Sequence, residues 1–156
     1  MTAEIVASGP ADIASILPVM ARAFDPRFGE AWTASQCLSM MALSGACFAI
    51  ARSADRVVGF AIARTVFDET ELLLIAVDPQ DAGQGIGGQL LDYVVTESAA
   101  LGGKKLHVEV RSDNRAHAFY AARGFAAAGS RPNYYRRTDG GPAHAITMVR
   151  DIGIRP

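Results

Sequence analysis

Hydrophobic and polar positions alternate with two different periods along this chain, and the change of period marks out its elements. Ile5 and Val6 predict a short first strand. From Ala11 to Phe24 the apolar residues Ile13, Ile16, Leu17, Met20 and Phe24 recur at helical spacing, with Asp12 near the start and Pro18 as a possible kink. Asp25-Pro26-Arg27-Phe28-Gly29 breaks that helix, and a second is expected after Thr33, through Cys37, Leu38 and Met41, ending near Gly45. The apolar but irregular segment between them, with Phe28 and Trp32, fits either core filling or one wall of a cleft. Cys47 to Ala51, Val57 to Val66 and Glu71 to Val77 then read as three strands of an antiparallel meander, with turn-like Ala54-Asp55 and Asp68-Glu69 between them.

The last of these strands runs into Asp78-Pro79-Gln80-Asp81-Ala82-Gly83-Gln84-Gly85-Ile86-Gly87-Gly88, a Pro-marked turn and a glycine-rich loop. A helix from about Ile86 to Leu101 follows, ended by Gly102-Gly103. Lys105 to Val110 is a strand, about Asn114 to Arg123 a helix, Phe125 to Arg131 a strand, and Ala145 to Arg150 a last strand after the polar Asp139-Gly140-Gly141-Pro142. Antiparallel strands first, then a strand-helix-strand-helix-strand half, predict an α+β fold: a mixed, mostly antiparallel sheet with helices on both faces. All 156 residues are expected to form a single domain, with function where the halves meet.

The glycine loop carries the strongest chemical signal. A helix start has unpaired N–H groups and the positive end of the helix dipole, and glycines remove side chains that would hold an anion away. The loop therefore reads as a phosphate cradle. Gly83-x-Gly85-x-x-Gly88 also matches a dinucleotide fingerprint, with Glu109 about 20 residues on. That fold needs its glycines tight against the first strand and several further βα units, whereas Asp78 to Ala82 intervene here and the remaining chain is short.

Composition narrows the partners. Fifteen Lys plus Arg stand against 16 Asp plus Glu, a net charge of −1, which gives no ground for nucleic-acid binding. No apolar run reaches the roughly 18 residues of a membrane span, and no leader pattern opens the chain. Cys37 and Cys47 are expected as reduced, mostly buried thiols in a cytoplasmic protein, and no Cys and His spacing suggests a metal. Nothing chooses between monomer and homodimer. His107, His117 and His144 read as surface or packing residues.

Several pieces together resemble the GNAT superfamily of acetyl-CoA-dependent acetyltransferases, and within it the RimI-type ribosomal-protein alanine N-acetyltransferases. They are Ile75-Ala76-Val77-Asp78-Pro79, Gly83-Gln84-Gly85-Ile86-Gly87, Glu109-Val110-Arg111, Phe119-Tyr120 with Gly124-Phe125, and Asn133-Tyr134-Tyr135 with Thr138-Asp139-Gly140. The resemblance runs from about Gly59 to Met148. It implies that the backbone of Ile75, Ala76 and Val77 pairs with the pantetheine arm of acetyl-CoA, with one N–H facing the thioester oxygen. It further implies that Gly83, Gln84, Gly85, Ile86, Gly87 and Gly88 bind the pyrophosphate. Asn114, or Asp113 given a one-residue shortening between Glu109 and Tyr120, would lie near the cofactor.

By the same resemblance, Glu109 is the proton acceptor, through a water, and Tyr120 the proton donor to the departing thiolate. Read alone, Glu109 could equally be a salt-bridged strand residue, with Arg111 or Lys104, and Phe119-Tyr120 a core aromatic pair. Trp32, Tyr134 and Tyr135 are candidate acceptor contacts, with a sheet-edge plug as the alternative for the tyrosines. The family's loop usually begins with Gln or Arg where this chain has Ala82. An α-amine, with a pKa near about 8, suits a modest base better than lysine at about 10.4, so a protein N-terminus, plausibly of a ribosomal protein, is the expected acceptor. A small-molecule amine and a non-catalytic acyl-CoA-binding domain remain as alternatives.

Overall fold

The computed structural model describes residues 3–111, 115–136 and 142–153. Its seven strands are β1 (Glu4–Ala7), β2 (Ala46–Ser53), β3 (Arg56–Val66), β4 (Glu69–Val77), β5 (Lys105–Arg111), β6 (Ala126–Arg136) and β7 (Pro142–Asp151). Four α-helices accompany them: α1 (Ile13–Ala23), α2 (Ala34–Met41), α3 (Ile86–Ala100) and α4 (Ala116–Ala121). The strands form one sheet in the order β1-β2-β3-β4-β5-β7-β6, antiparallel throughout except for the β4 and β5 pair. The α+β fold and mixed sheet expected from the periodicity are therefore present.

The two faces of the sheet are packed by complementary sizes. Ala49 and Ala51 on β2 and Ala61 and Ala63 on β3 point to one side, where their small volume admits Leu90, Leu91 and Val94 of α3. Phe48, Ile50, Phe60 and Ile62 point to the other and meet Ile13, Ile16, Val19 and Met20 of α1 and Cys37 of α2. Small residues face the long helix and large ones the short helices, the strict period of two dividing them. Thr33 starts α2 with a reciprocal cap: its hydroxyl accepts from the Gln36 N–H at 3.2 Å and its own N–H donates to Gln36 Oε1 at 2.7 Å.

Several element bounds differ from the sequence expectation, α1, β6 and β7 most informatively. α1 begins at Ile13 because Pro10–Asp12 winds as a separate 3₁₀ turn. β6 and β7 run on to Arg136 and from Pro142, beyond the expected Arg131 and Ala145. The pairing shifts register between Arg131 and Tyr135, so the alternation that would have announced the extension is interrupted. No helix among the described residues is long and apolar enough to cross a membrane.

Candidate active site

The sheet is pinned at one end of its centre and parted at the other. β4 and β5 pair in parallel only from Glu69 to Leu72 against Lys105 to Val108. On its other side β4 carries a bulge: Leu72 pairs with Ala63 and Leu74 with Ile62, leaving Leu73 as the extra residue. A bulge bends its strand and increases the local twist, and from here β4 leaves β5. Among the described residues, the β5-facing edge of Leu73 to Val77 has no strand partner. The gap is a cavity of about 240 Å³ lined by Ile75, Ala76, Val77, Gly87, Glu109, Phe119 and Tyr120, with Phe24 and Glu30 at one side.

A charge network fixes the loop that leaves β4. Asp78, fully buried, accepts from Arg22 Nε of α1 at 2.8 Å and from Nη2 at 2.6 Å, and from the Gln80 N–H at 3.1 Å. The Arg22 hydrogen bond holds its carboxyl below the usual carboxylate range, against the opposing pull of burial. Arg56 of β3 binds Asp81 at 2.9 and 3.0 Å. The chain then passes Gly83 and Gly85 at φ of 80° and 79°, which favour glycine, and enters α3 at Ile86. A Cβ on either glycine would meet nothing within 4 Å, so the space before the helix is open. No side chain caps that helix start. Open space, glycines and free first-turn donors are what an anion needs.

Glu109 and Tyr120 come together across this gap. Tyr120 is 4% exposed, with its ring edge-on to Phe119 and Phe125 at centroid distances of 5.1 and 5.3 Å. Burial, and secondarily the charge of Glu30, push its phenol well above the ordinary value, so the hydroxyl stays protonated and available as a donor. Glu109, half-buried on β5 opposite Thr147 of β7, borders the narrow cavity and also a second one of about 530 Å³. That second cavity is bordered by Met40, Phe67, Asp68, Glu69, Glu71 and His107.

A clamp that the sequence did not announce closes one end of the narrow cavity. Arg111, buried at the end of β5, lays its guanidinium 3.4 Å from the Phe28 ring centroid and 3.3 Å from Glu30 Oε1. Cation over ring and ion pair together hold the segment between α1 and α2 against β5. Phe28 thus packs on Arg111, which lines the cavity together with Glu30, and belongs to neither core cluster. The clue in sequence was only the apolar, irregular stretch around Phe28.

Of the expected site residues, the structure gathers Ile75, Ala76, Val77, Gly87, Glu109 and Tyr120 around one cavity, with Gly83, Gln84, Gly85, Ile86 and Gly88 at the adjoining loop and helix start. Trp32 is elsewhere. It lines a separate groove on α2 with Gln36, Met40 and Leu43, because it packs against the α1 and α2 cluster. Asn114 and Asp113 lie outside the described residues, as do the side chains of Tyr134 and Tyr135 on β6. Among the described residues no group of three His, Cys, Asp or Glu could hold a metal ion.

Residues 19–137 match the family model described as an acetyltransferase (GNAT) domain. The chain belongs to the GNAT acetyltransferase family. This GNAT chain is 43% identical over 100 residues to the [ribosomal protein bS18]-alanine N-acetyltransferase of Escherichia coli K12, covering 64% of this chain and 67% of that protein. It spans about two thirds of the length of the curated relatives it matches. Among solved structures, the crystal structure of the ribosomal-protein-S18-alanine N-acetyltransferase from Escherichia coli superposes with a TM-score of 0.86 at 30% identity, covering 99% of this chain and 96% of that one. A GNAT phosphinothricin acetyltransferase from Sinorhizobium meliloti, solved with acetyl-CoA bound, shares the fold at a TM-score of 0.82 and 20% identity, covering 100% and 94%.

Proposed function

We propose that this GNAT protein transfers the acetyl group of acetyl-CoA to the α-amine of a protein N-terminus, of the ribosomal-protein alanine type. The observation that carries the reading is the position of Glu109 on the border between two cavities. A thioester approaching through the gap beside β4 and an amine approaching from the wider cavity would meet at one carboxylate. The unpartnered edge of Leu73 to Val77 suits an extended pantetheine arm, and the glycine loop at α3 suits its diphosphate.

The chemistry then follows from the side chains. Glu109, through a water, takes the proton from the amine, freeing a lone pair to attack the thioester carbon. A backbone N–H of the parted strand faces the carbonyl oxygen as it becomes negative. As the carbon–sulfur bond breaks, the sulfur takes up a hydrogen bond and then the proton from the Tyr120 hydroxyl, and the phenoxide is refilled by the proton that the newly acylated nitrogen sheds. Because that phenol is a weaker acid than usual, hydrogen bonding to the sulfur in the transition state is the larger part of its help. The similarity to bS18-alanine N-acetyltransferases supports a peptide beginning with alanine as the acceptor.

The test is thiol release from acetyl-CoA with such a peptide, set against polyamines, aminoglycosides and free amino acids. Turnover confined to the peptide supports the reading, and turnover confined to a small amine replaces it. Ala82, which offers an anion no side-chain donor, favours a second reading: a domain that binds acyl-CoA without turnover. Tight acetyl-CoA binding by calorimetry with no thiol release for any amine would establish that instead.

A further inference from the structure

The gap between β4 and β5 is a wedge, open beside the glycine loop and closed where the strands rejoin. Its last backbone pair is Leu72 with Val108, one residue short of Glu109. An extended arm entering from the loop carries its acyl group foremost, so that group meets the closed end. One strand residue advances about 3.3 Å, so beyond a carbon beside Glu109 there is length for little more than a methyl group.

A longer chain would have to turn out of the sheet, and the bulge in β4 decides what it meets. Successive strand residues ordinarily take opposite faces. Leu73 and Leu74 instead both pack onto the α1 and α2 cluster, because the bulge sets the two of them on one side. Phe24, the residue that ends α1, packs on the same cluster and lines the same cavity. Towards the other face stand Leu72 and Val108, core residues that are 3% and 5% exposed. A third way leads past Leu73 into the wider cavity, and a chain lodged there takes the place the amine needs.

All five of these side chains are apolar, so the closed end sorts acyl groups by size. Leu72 and Val108 are fixed in the core, whereas Leu74 and Phe24 are only half-buried and form the side that one substitution can open. We propose that Leu74 and Phe24 set the length of the acyl group, so that the protein transfers acetyl and rejects propionyl and longer chains. This rests on the acetyl-CoA reading above. Both are specificity residues: they move no proton, and the bonds made and broken are those already described.

The test is thiol release from acetyl-CoA, propionyl-CoA and butyryl-CoA, with an alanine-terminated peptide as acceptor, by the unsubstituted full chain, Leu74→Ala, Phe24→Ala and the milder Leu74→Val. The readout is the ratio of kcat/KM between donors, which cancels any difference in the fraction of folded protein. The unsubstituted protein is expected to favour acetyl over propionyl about tenfold or more, the range one methylene is worth in an apolar pocket. Each alanine variant should lower that ratio at least about threefold, since it frees more than one methylene of space. Leu74→Val should move it the same way by less. Equal use of acetyl-CoA and propionyl-CoA by the unsubstituted protein overturns the proposal, as do ratios unmoved by all three substitutions. A lack of thiol release from every donor in the unsubstituted protein falls instead on the acetyl-CoA reading beneath it.

Discussion

Glu109 borders both cavities that flank the parted strands, whereas Tyr120 borders only the narrower one. The two residues should therefore fail differently. Glu109→Gln is expected to lower kcat by about 10²-fold or more with an alanine peptide, the range of a lost general base, with little change in acetyl-CoA affinity. Tyr120→Phe is expected to lower kcat far more than it raises the KM for acetyl-CoA. Equal effects of Tyr120→Phe on both would mark the hydroxyl as a packing group. Since the phenol is pushed up from its ordinary value, Tyr120 should cause no loss of rate on the alkaline side up to about pH 10.

Asp78 anchors the glycine loop to α1 through Arg22. Asp78→Asn should cost about 1–3 kcal/mol, the usual effect of losing a hydrogen bond to a charged group, and lower Tm by several degrees. Acetyl-CoA KM should rise as the loop loosens. Its carboxyl lies below the ordinary value in the folded protein, so the stabilisation is complete above about pH 4 and is lost as pH falls through the folded value. Thermal melts from pH 7 down to pH 3 on both proteins check this: their Tm values should converge at the acid end.

The clamp of Arg111 on Phe28 and Glu30 makes a spectroscopic prediction. Glu30→Gln removes a negative charge that helps to raise the Tyr120 phenol. The most resistant tyrosine in an ultraviolet pH titration should then ionise at lower pH than before, though still above its ordinary value because burial is the larger cause. An unmoved titration would mean that Glu30 and Tyr120 do not sense each other.

Phe67 stands 94% exposed at the hairpin between β3 and β4 with φ of 56°, a conformation unfavourable for a bulky side chain. Phe67→Gly should leave stability unchanged or raise it by up to about 1 kcal/mol. If the wider cavity receives the acceptor peptide, the same variant raises the KM for peptide and leaves that for acetyl-CoA alone. Denaturant midpoints and steady-state kinetics separate the two effects.

Both thiols should be inert. Cys47 is pushed up to about 11 by burial and by Glu97, and burial raises Cys37 as well. About one Cys47 in a thousand is then thiolate at pH 8, so alkylation should be slow until the chain unfolds. Rapid labelling of the native protein near neutral pH would contradict this.

Much of this was readable from residue order. Antiparallel strands followed by a strand-helix-strand-helix-strand half were enough to predict a mixed sheet with helices on both faces. The glycine loop announced the start of α3, since few other uses account for four glycines in six residues. What escaped was long-range: Arg22 with Asp78 and Arg111 with Phe28 and Glu30 are separated by tens of residues, and no local rule relates them. For Trp32 the irregular apolar stretch left core filling and a cleft wall both open, and the structure packs it beside α1 and α2, where it also lines a groove on α2.

The unpartnered length of β4 offers main chain, not side chains, to whatever lies beside it. Peptide groups are identical whichever residue carries them, so apolar residues can be exchanged along Ile75 to Val77 without altering the donors and acceptors on that edge. Alanine scanning would pass over it, while one proline, by deleting an N–H, would reveal it. Recognition written in the backbone is hidden from mutational drift.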